Sequence, residues 1–134
     1  MLTDYFTLLA IARDLDRTLR DAVLAEAFTQ ERNQLMLHFQ DPDRPEAPAK
    51  EERWLTVSCE PSRNFVLLRH SFSRARRNTL ERLTPAKGLT VTGVRMHDAD
   101  RELSLQFGRD RILRIQMFRS AAYVVVPDGE GPIV

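Results

Sequence analysis

Residues 58–83, SCEPSRNFVLLRHSFSRARRNTLERL, contain the sharpest change of pattern in this chain. A turn at 60–63 leads into an apolar strand at 64–69, and a helix is then predicted from Ser71 or Phe72 to Leu83. The stretch holds six arginines against two glutamates, a charge pattern expected for a polyanionic partner. A solvated helix face is the alternative, and the segment taken alone favours it.

Length and composition indicate one domain covering 1–134. The chain is 43% hydrophobic and carries a formal net charge of +1, which is ordinary for a globular protein that buries its own core. Its one cysteine, Cys59, excludes an internal disulfide and lies in an apolar strand, so a buried side chain is expected. The sequence shows neither a secretion signal nor an apolar run of about 20 residues, which predicts a cytoplasmic protein with no membrane partner.

The first half of the chain predicts a helix followed by four strands. Apolar residues at helical spacing indicate an amphipathic helix at 3–21, with Phe6 on its polar side. The stretch 41–52 contains three prolines and many charges, and we interpret it as an exposed hairpin loop. The four strands are expected at 23–30, 35–40, 54–59 and 64–69.

The second half predicts the Arg-rich helix followed by four more strands. The apolar phase flips across Gly93, which indicates a bulge or a bend between 89–91 and 94–96. Further strands are expected at 103–107, 112–118 and 121–126, before a Pro/Gly-rich tail at 127–134. Strands that follow one another without βαβ alternation favour an α+β fold. We expect about eight mostly antiparallel strands in a sandwich or a partly closed barrel, with the helices at its edge.

The sequence contains no convincing catalytic constellation. His38, His70 and His97 do not stand at metal-ligand spacing, and one cysteine excludes a Cys/His zinc cluster. A Gly-rich phosphate loop and a nucleophile elbow are also missing. We therefore expect a protein that is not an enzyme, with no catalytic residue, no metal and no cofactor.

One polar pair stands out at the start of a predicted strand. Arg101 shares its strand phase with the apolar Leu103, Leu105 and Phe107, and Asp100 precedes it. A charged residue in register with a core face is either paired with a buried carboxylate or left at the rim for a ligand. Pairing within the domain is slightly favoured by this pattern alone.

Several short motifs that follow one another along the chain resemble the N-terminal part of the NFACT family, historically labelled fibronectin-binding protein A. The resemblance runs along nearly the whole chain, and the order and spacing of the motifs make it more specific than any one of them. The motifs are MLTDY at 1–5, AFTQERNQL at 27–35, SCEPSRN at 58–64, FSRARRNT at 72–79 and the pair Asp100-Arg101.

The resemblance implies a fold similar to the N-terminal domain of formamidopyrimidine-type DNA glycosylases. It also implies an RNA-binding module of a ribosome-associated quality-control factor, which binds tRNA and the stalled large ribosomal subunit for C-terminal tailing without mRNA. Asp100 and Arg101 fall on the family's pair implicated in the tRNA-dependent function. Candidate RNA-phosphate contacts are Arg63, Arg74, Arg76 and Arg77.

The sequence also departs from the family. Members are several hundred residues long, so the resemblance predicts a truncated chain or the first domain of a longer protein, with downstream domains as partners. Surface exposed by truncation makes a homodimer one expected consequence. Residues 118–122, FRSAA, replace a Gly-x-x-Ser-Asn-like sequence, and Tyr5 replaces a frequent glycine.

Three other functions remain open at this point. A DNA-repair glycosylase is suggested by the implied fold, but the exposed N-terminal Pro-Glu pair of that class is replaced by Leu2-Thr3. A fibronectin-binding surface protein is suggested by the historical label, and the missing secretion signal argues against it. The domain could also fold without having an activity of its own.

Overall fold

One helix and ten strands make up the described part of the chain. The computed structural model describes residues 5–29, 33–41, 53–60, 63–69, 80–81, 87–97, 102–109, 111–117, 122–126 and 131–132. The elements are α1 (Tyr5–Leu19), β1 (Val23–Thr29), β2 (Gln34–Gln40), β3 (Arg53–Glu60), β4 (Arg63–Arg69), β5 (Leu80–Glu81), β6 (Val91–Met96), β7 (Glu102–Phe107), β8 (Arg111–Met117), β9 (Ala122–Val126) and β10 (Gly131–Pro132).

The strands form two antiparallel sheets of five strands each. The first sheet has the order β4-β3-β2-β1-β5, and the second sheet has the order β10-β9-β8-β7-β6. All eight predicted strands are present, and the α+β prediction is confirmed. Because the sheets do not close into a barrel over the described residues, the partly closed barrel is not the arrangement observed.

Two stretches differ from the sequence-based expectation. Leu80–Glu81, the end of the predicted Arg-rich helix, is strand β5 and pairs with Phe28 and Thr29 of β1. The backbone groups along the edge of β1 need partners, and this pairing overrides the local helical spacing. Gly131–Pro132, within the predicted tail, is strand β10 and pairs with β9. Residues 70–79 and 42–52 lie outside the described residues.

Helix α1 contributes one face to a core that it shares with both sheets. Its buried side chains are spaced as expected for an amphipathic helix, and they are Leu8, Ala12, Leu15 and Leu19. Phe6 is 79% exposed on the opposite side, as the sequence predicts. Between the sheets, the rings of Phe39 and Phe107 stack with centroids 6.5 Å apart. The apolar faces of the two sheets are therefore in direct contact.

A short antiparallel seam joins the two sheets where α1 leads into β1. Asp21 takes a positive φ of 70°, which ends the helix and turns the chain into β1. The backbone N–H of Asp21 donates to Val91 O at 2.9 Å, and Val91 N–H donates back to Ala22 O at 2.8 Å. Leu24 N–H donates to Leu89 O at 3.0 Å, so residues 21–24 and 88–91 are held together along this line.

Helix α1 is also tied by side chains to each sheet. Arg53 of β3 donates to the carbonyl oxygen of Thr18 at 2.8 Å, which satisfies a carbonyl in the last turn of the helix. Asp16 accepts the backbone N–H of Val94 at 2.8 Å and a hydrogen bond from Arg20 at 2.9 Å. The register of β6 shifts between Val91 and Gly93, which confirms the predicted bulge. The Asp16 carboxylate supplies the acceptor beside this bulge.

We predict that Asp16→Ala lowers the free energy of unfolding by about 1–2 kcal/mol, because the Val94 amide loses an acceptor that carries a charge. Asp14→Ala is the matched control. Asp14 pairs with Arg17 on the surface, with side chains 58% and 81% exposed, so its loss should change stability by less than about 0.5 kcal/mol. Urea denaturation of both variants measures the difference, and equal effects would contradict the account.

The Asp16 carboxylate also makes the stability of the fold depend on pH. The hydrogen bond from the Val94 amide, followed by that from Arg20, holds the pKa of Asp16 below its ordinary value. A carboxyl with a lowered folded-state pKa stabilises the fold above its unfolded value, about 3.9, and this contribution is lost as pH falls through the folded pKa. The stability difference between wild type and Asp16→Ala should therefore shrink in acid, as urea midpoints across the acidic range would show. An unchanged difference would argue against this linkage.

We expect the Cys59 thiol to be inert in the folded protein. It is 4% exposed, and burial raises its pKa to about 11, so the nucleophilic thiolate is scarce at neutral pH. A thiol-reactive disulfide reagent should modify Cys59 promptly in the denatured protein. In native buffer, modification should proceed only as fast as the folded protein transiently opens and exposes the thiol. Native modification as fast as that of free cysteine would contradict this placement.

Candidate functional site

The residues predicted to form the site are mostly outside the described part of the chain. Arg63 is the first residue of β4, and its Cα pairs with Glu60 of β3. Arg74, Arg76 and Arg77 lie outside the described residues, and so do Asp100 and Arg101. On either side of the Asp100-Arg101 pair, the His97 N–H donates to Glu102 O at 3.0 Å. Whether these residues form one site therefore stays a prediction, because only Arg63 belongs to the described part of the chain.

A polar cleft lies on the outer face of the second sheet, opposite the core. Its central feature is a row of three residues in register, in which Ser104 of β7 stands between Arg95 of β6 and Arg114 of β8. The cleft has a volume of about 270 Å³. Its lining residues are Gly93, Arg95, Met96, His97, Ser104, Gln106, Ile112 and Arg114.

The two arginines of the cleft are exposed and carry uncompensated charge. Neither Arg95 nor Arg114 forms an ion pair or hydrogen bond with any residue of the described ranges. By contrast, Arg17 on α1 and Arg20 just after its end are paired with carboxylates at 2.8 and 2.9 Å. Neighbouring strands lie about 4.8 Å apart, so the Cα atoms of Arg95 and Arg114 are separated by roughly 10 Å. Long arginine side chains can converge over Ser104 from that separation.

A hydrogen-bonded network forms the floor beside these arginines. The hydroxyl of Ser104, a residue only 9% exposed, lies 2.7 Å from Nε2 of His97. The same nitrogen lies 3.4 Å from Oε2 of Glu102, whose Oε1 accepts a hydrogen bond from Gln116 at 2.6 Å. Both oxygens of the buried Glu102 carboxylate thus face side-chain nitrogens. The Oε1 atom of Gln116 is buried without a partner in the described part of the chain.

The Ser104, His97 and Glu102 side chains do not have the geometry of a catalytic triad. In a triad, one ring nitrogen of the histidine contacts the nucleophile and the other contacts the carboxylate. Here Nε2 of His97 faces both partners. The arrangement holds a hydroxyl in place and cannot relay a proton through the ring. Chemically, the cleft suits the binding of an anion better than nucleophilic attack.

The outer face of the first sheet offers no exposed aromatic platform among its described residues. Phe28, Met36 and Trp54 form a buried cluster there, and Trp54 is 4% exposed. The ring of His38 stacks on Trp54 with centroids 4.1 Å apart. Bases of a nucleic acid usually stack on accessible aromatic rings. Trp54 is therefore part of the packing of this face rather than a surface for bases.

The described ranges contain neither a candidate metal site nor a candidate membrane-spanning helix. No group of three His, Cys, Asp or Glu side chains there could hold a metal ion. Helix α1, the helix of those ranges, is neither long enough nor apolar enough to cross a membrane.

Sequence reasoning missed the cleft because its residues are far apart in the chain. In the sequence, each of the three central residues is a polar position of an alternating strand, a pattern typical of a solvated face. They are Arg95, Ser104 and Arg114. Only the register of three strands shows that they stand side by side. The local signal was a single arginine at an outward position in each of β6 and β8, which does not distinguish a site from a solvated surface.

Comparison with known proteins gives a structural likeness. Neither a protein-family model nor a curated protein matches the sequence. Among solved structures, the chain is similar to the crystal structure of the N-terminal domain of the fibronectin-binding protein PavA from Streptococcus pneumoniae. The TM-score is 0.70 at 12% sequence identity, with 90% of this chain and 49% of the other chain covered. The chain thus spans about half the length of that structure, and at this identity the likeness establishes a shared fold.

Proposed function

We propose that this chain is the RNA-binding module of a ribosome-associated quality-control factor, binding tRNA and the stalled large ribosomal subunit. The proposal rests on the agreement between two observations. The sequence motifs resemble the family historically labelled fibronectin-binding protein A, and the fold resembles the N-terminal domain of a fibronectin-binding protein at a TM-score of 0.70. The motifs and the fold point to the same part of the same kind of protein.

In this proposal, Asp100 and Arg101 serve the tRNA-dependent function, and Arg63 together with the arginines of 74–77 contacts RNA phosphates. The planar fork of arginine suits phosphate oxygens, and RNA is commonly recognised through its shape and backbone. A module that positions RNA needs no nucleophile, metal or cofactor, so we propose that it is not an enzyme. Its setting is the cytoplasm, where ribosomes and tRNA are available, and downstream domains of a longer protein would complete the factor.

We predict that the chain captures tRNA and large-subunit RNA from cells with stalled ribosomes. The tagged chain would be compared with the double variant Asp100→Ala/Arg101→Ala, and the captured RNA would be sequenced. Wild type should enrich both RNAs, and the double variant should retain the large-subunit RNA while losing most of the tRNA. Arg13→Gln, on the exposed face of α1, is the control for nonspecific loss of charge.

Two results would contradict this proposal. If neither RNA is enriched above an untagged control, RNA binding is wrong for this chain. If the double variant captures as much tRNA as wild type, the role assigned to Asp100 and Arg101 is wrong while RNA binding stands. Matching circular dichroism spectra for the three proteins would show that lost capture does not reflect lost folding.

Fibronectin binding is the second candidate, and the name of the structural neighbour favours it. PavA is described as a fibronectin-binding protein, and its N-terminal domain shares the fold of this chain. Immobilised fibronectin should then bind the folded chain saturably, and the heat-denatured chain should bind less. A flat response of the folded chain over the concentration range that saturates tRNA binding would rule this candidate out.

A further inference from the structure

We infer that the cleft on the outer face of the second sheet is a phosphate-binding site, with Arg95 and Arg114 as the clamp and Ser104 between them. Three observations support this inference together. The cleft is a concave space of about 270 Å³, it is bordered by two exposed arginines, and a nearly buried hydroxyl stands at its floor.

The charge of the two arginines is available to a ligand. Within the described ranges neither guanidinium has a carboxylate or hydrogen-bond partner. Each guanidinium presents several N–H donors in a fixed plane, which matches the oxygens of a phosphate group. Two such groups on either side of one hydroxyl can donate to different oxygens of the same phosphate.

The floor of the cleft is compatible with an anion. Glu102 is a buried carboxylate on the same strand as Ser104, and its two oxygens already face side-chain nitrogens of Gln116 and His97. Ser104 and Glu102 occupy positions two residues apart on the same face of β7, and the hydroxyl of Ser104 is the one in the cleft lining. The carboxylate is therefore held by its own partners. The Ser104 hydroxyl is oriented by its hydrogen bond with His97 Nε2, and the two arginines are left to the ligand.

The phosphate would come from the backbone of RNA, and this identification rests on the proposed function. Free inorganic phosphate offers the same chemistry, so it serves as an independent probe of the cleft. A phosphodiester in this position would anchor the strand without reading its sequence, because contacts to phosphates carry position and not base identity. Arg95 and Arg114 are not among the arginines that were predicted from the sequence to contact RNA phosphates.

The test follows backbone amide signals of the isotopically labelled chain during two separate titrations, one with a short single-stranded RNA and one with inorganic phosphate. We expect both probes to shift the amides of Arg95, Ser104 and Arg114. Arg95→Gln and Arg114→Gln should each weaken RNA binding by about 5–10-fold, as for the loss of one charge-assisted contact. Each should also lower the slope of log affinity against log salt by about one.

Arg13→Gln is the matched control, since Arg13 is an exposed arginine on α1 that lies outside the cleft lining. It should leave the RNA affinity within about twofold, in line with surface substitutions away from a contact. Amide spectra of all variants without ligand establish that each one is folded. Glutamine keeps most of the side-chain length, so a loss of binding reports the loss of charge.

The outcomes separate this inference from the proposed function. If RNA binds and the double variant Arg95→Gln/Arg114→Gln binds as well as wild type, the cleft is not the site, while RNA binding stands. If RNA fails to bind but inorganic phosphate shifts the cleft amides, the cleft is a phosphate site and the RNA function is wrong. If neither probe shifts these amides, the inference is overturned.

Discussion

The rest of the structure depends on the seam between residues 21–24 and 88–91. There the chain leaves α1 with a positive φ at Asp21 and immediately pairs with the segment that leads into β6. The pairing partners are more than sixty residues apart in sequence, so the seam closes a long loop and draws the two sheets together. Together with the bonds from Arg53 and to Asp16, the seam fixes how the apolar faces of the sheets meet each other and α1.

The seam and the Asp16 carboxylate together set the position of the cleft. Asp16 holds the Val94 amide beside the bulge in β6, and the next residue, Arg95, carries its guanidinium to the outer face. The pairing of β6 with β7 and of β7 with β8 then places Arg95, Ser104 and Arg114 in one row. The core side of the second sheet is apolar, so the same strands can offer polar side chains outward without loss of packing. The hydrogen bonds that fix the fold of the second sheet therefore also position the candidate site.

Much of the fold could be predicted from sequence, because alternation and helical spacing are local signals. The amphipathic face of α1, the exposed Phe6, the buried Cys59 and the bulge at Gly93 were all predicted and are confirmed. Residues 80–81, which form strand β5, were predicted to be the end of a helix. The local sequence does not show their pairing with β1, because the paired residues are about fifty positions apart in the chain. The cleft could not be predicted for a related reason. Its three central residues are neighbours only through strand register, and each looks like ordinary surface by itself.

Photo-crosslinking of the full chain to tRNA, with the crosslinked peptides identified by mass spectrometry, tests the central claim most directly. We propose that this chain binds RNA and that the outer face of the second sheet takes part. We therefore expect crosslinks within β6 and β8, the two strands that carry the arginines of the cleft. Crosslinks confined to the first sheet and α1, or no crosslinked peptide at all, would contradict this proposal.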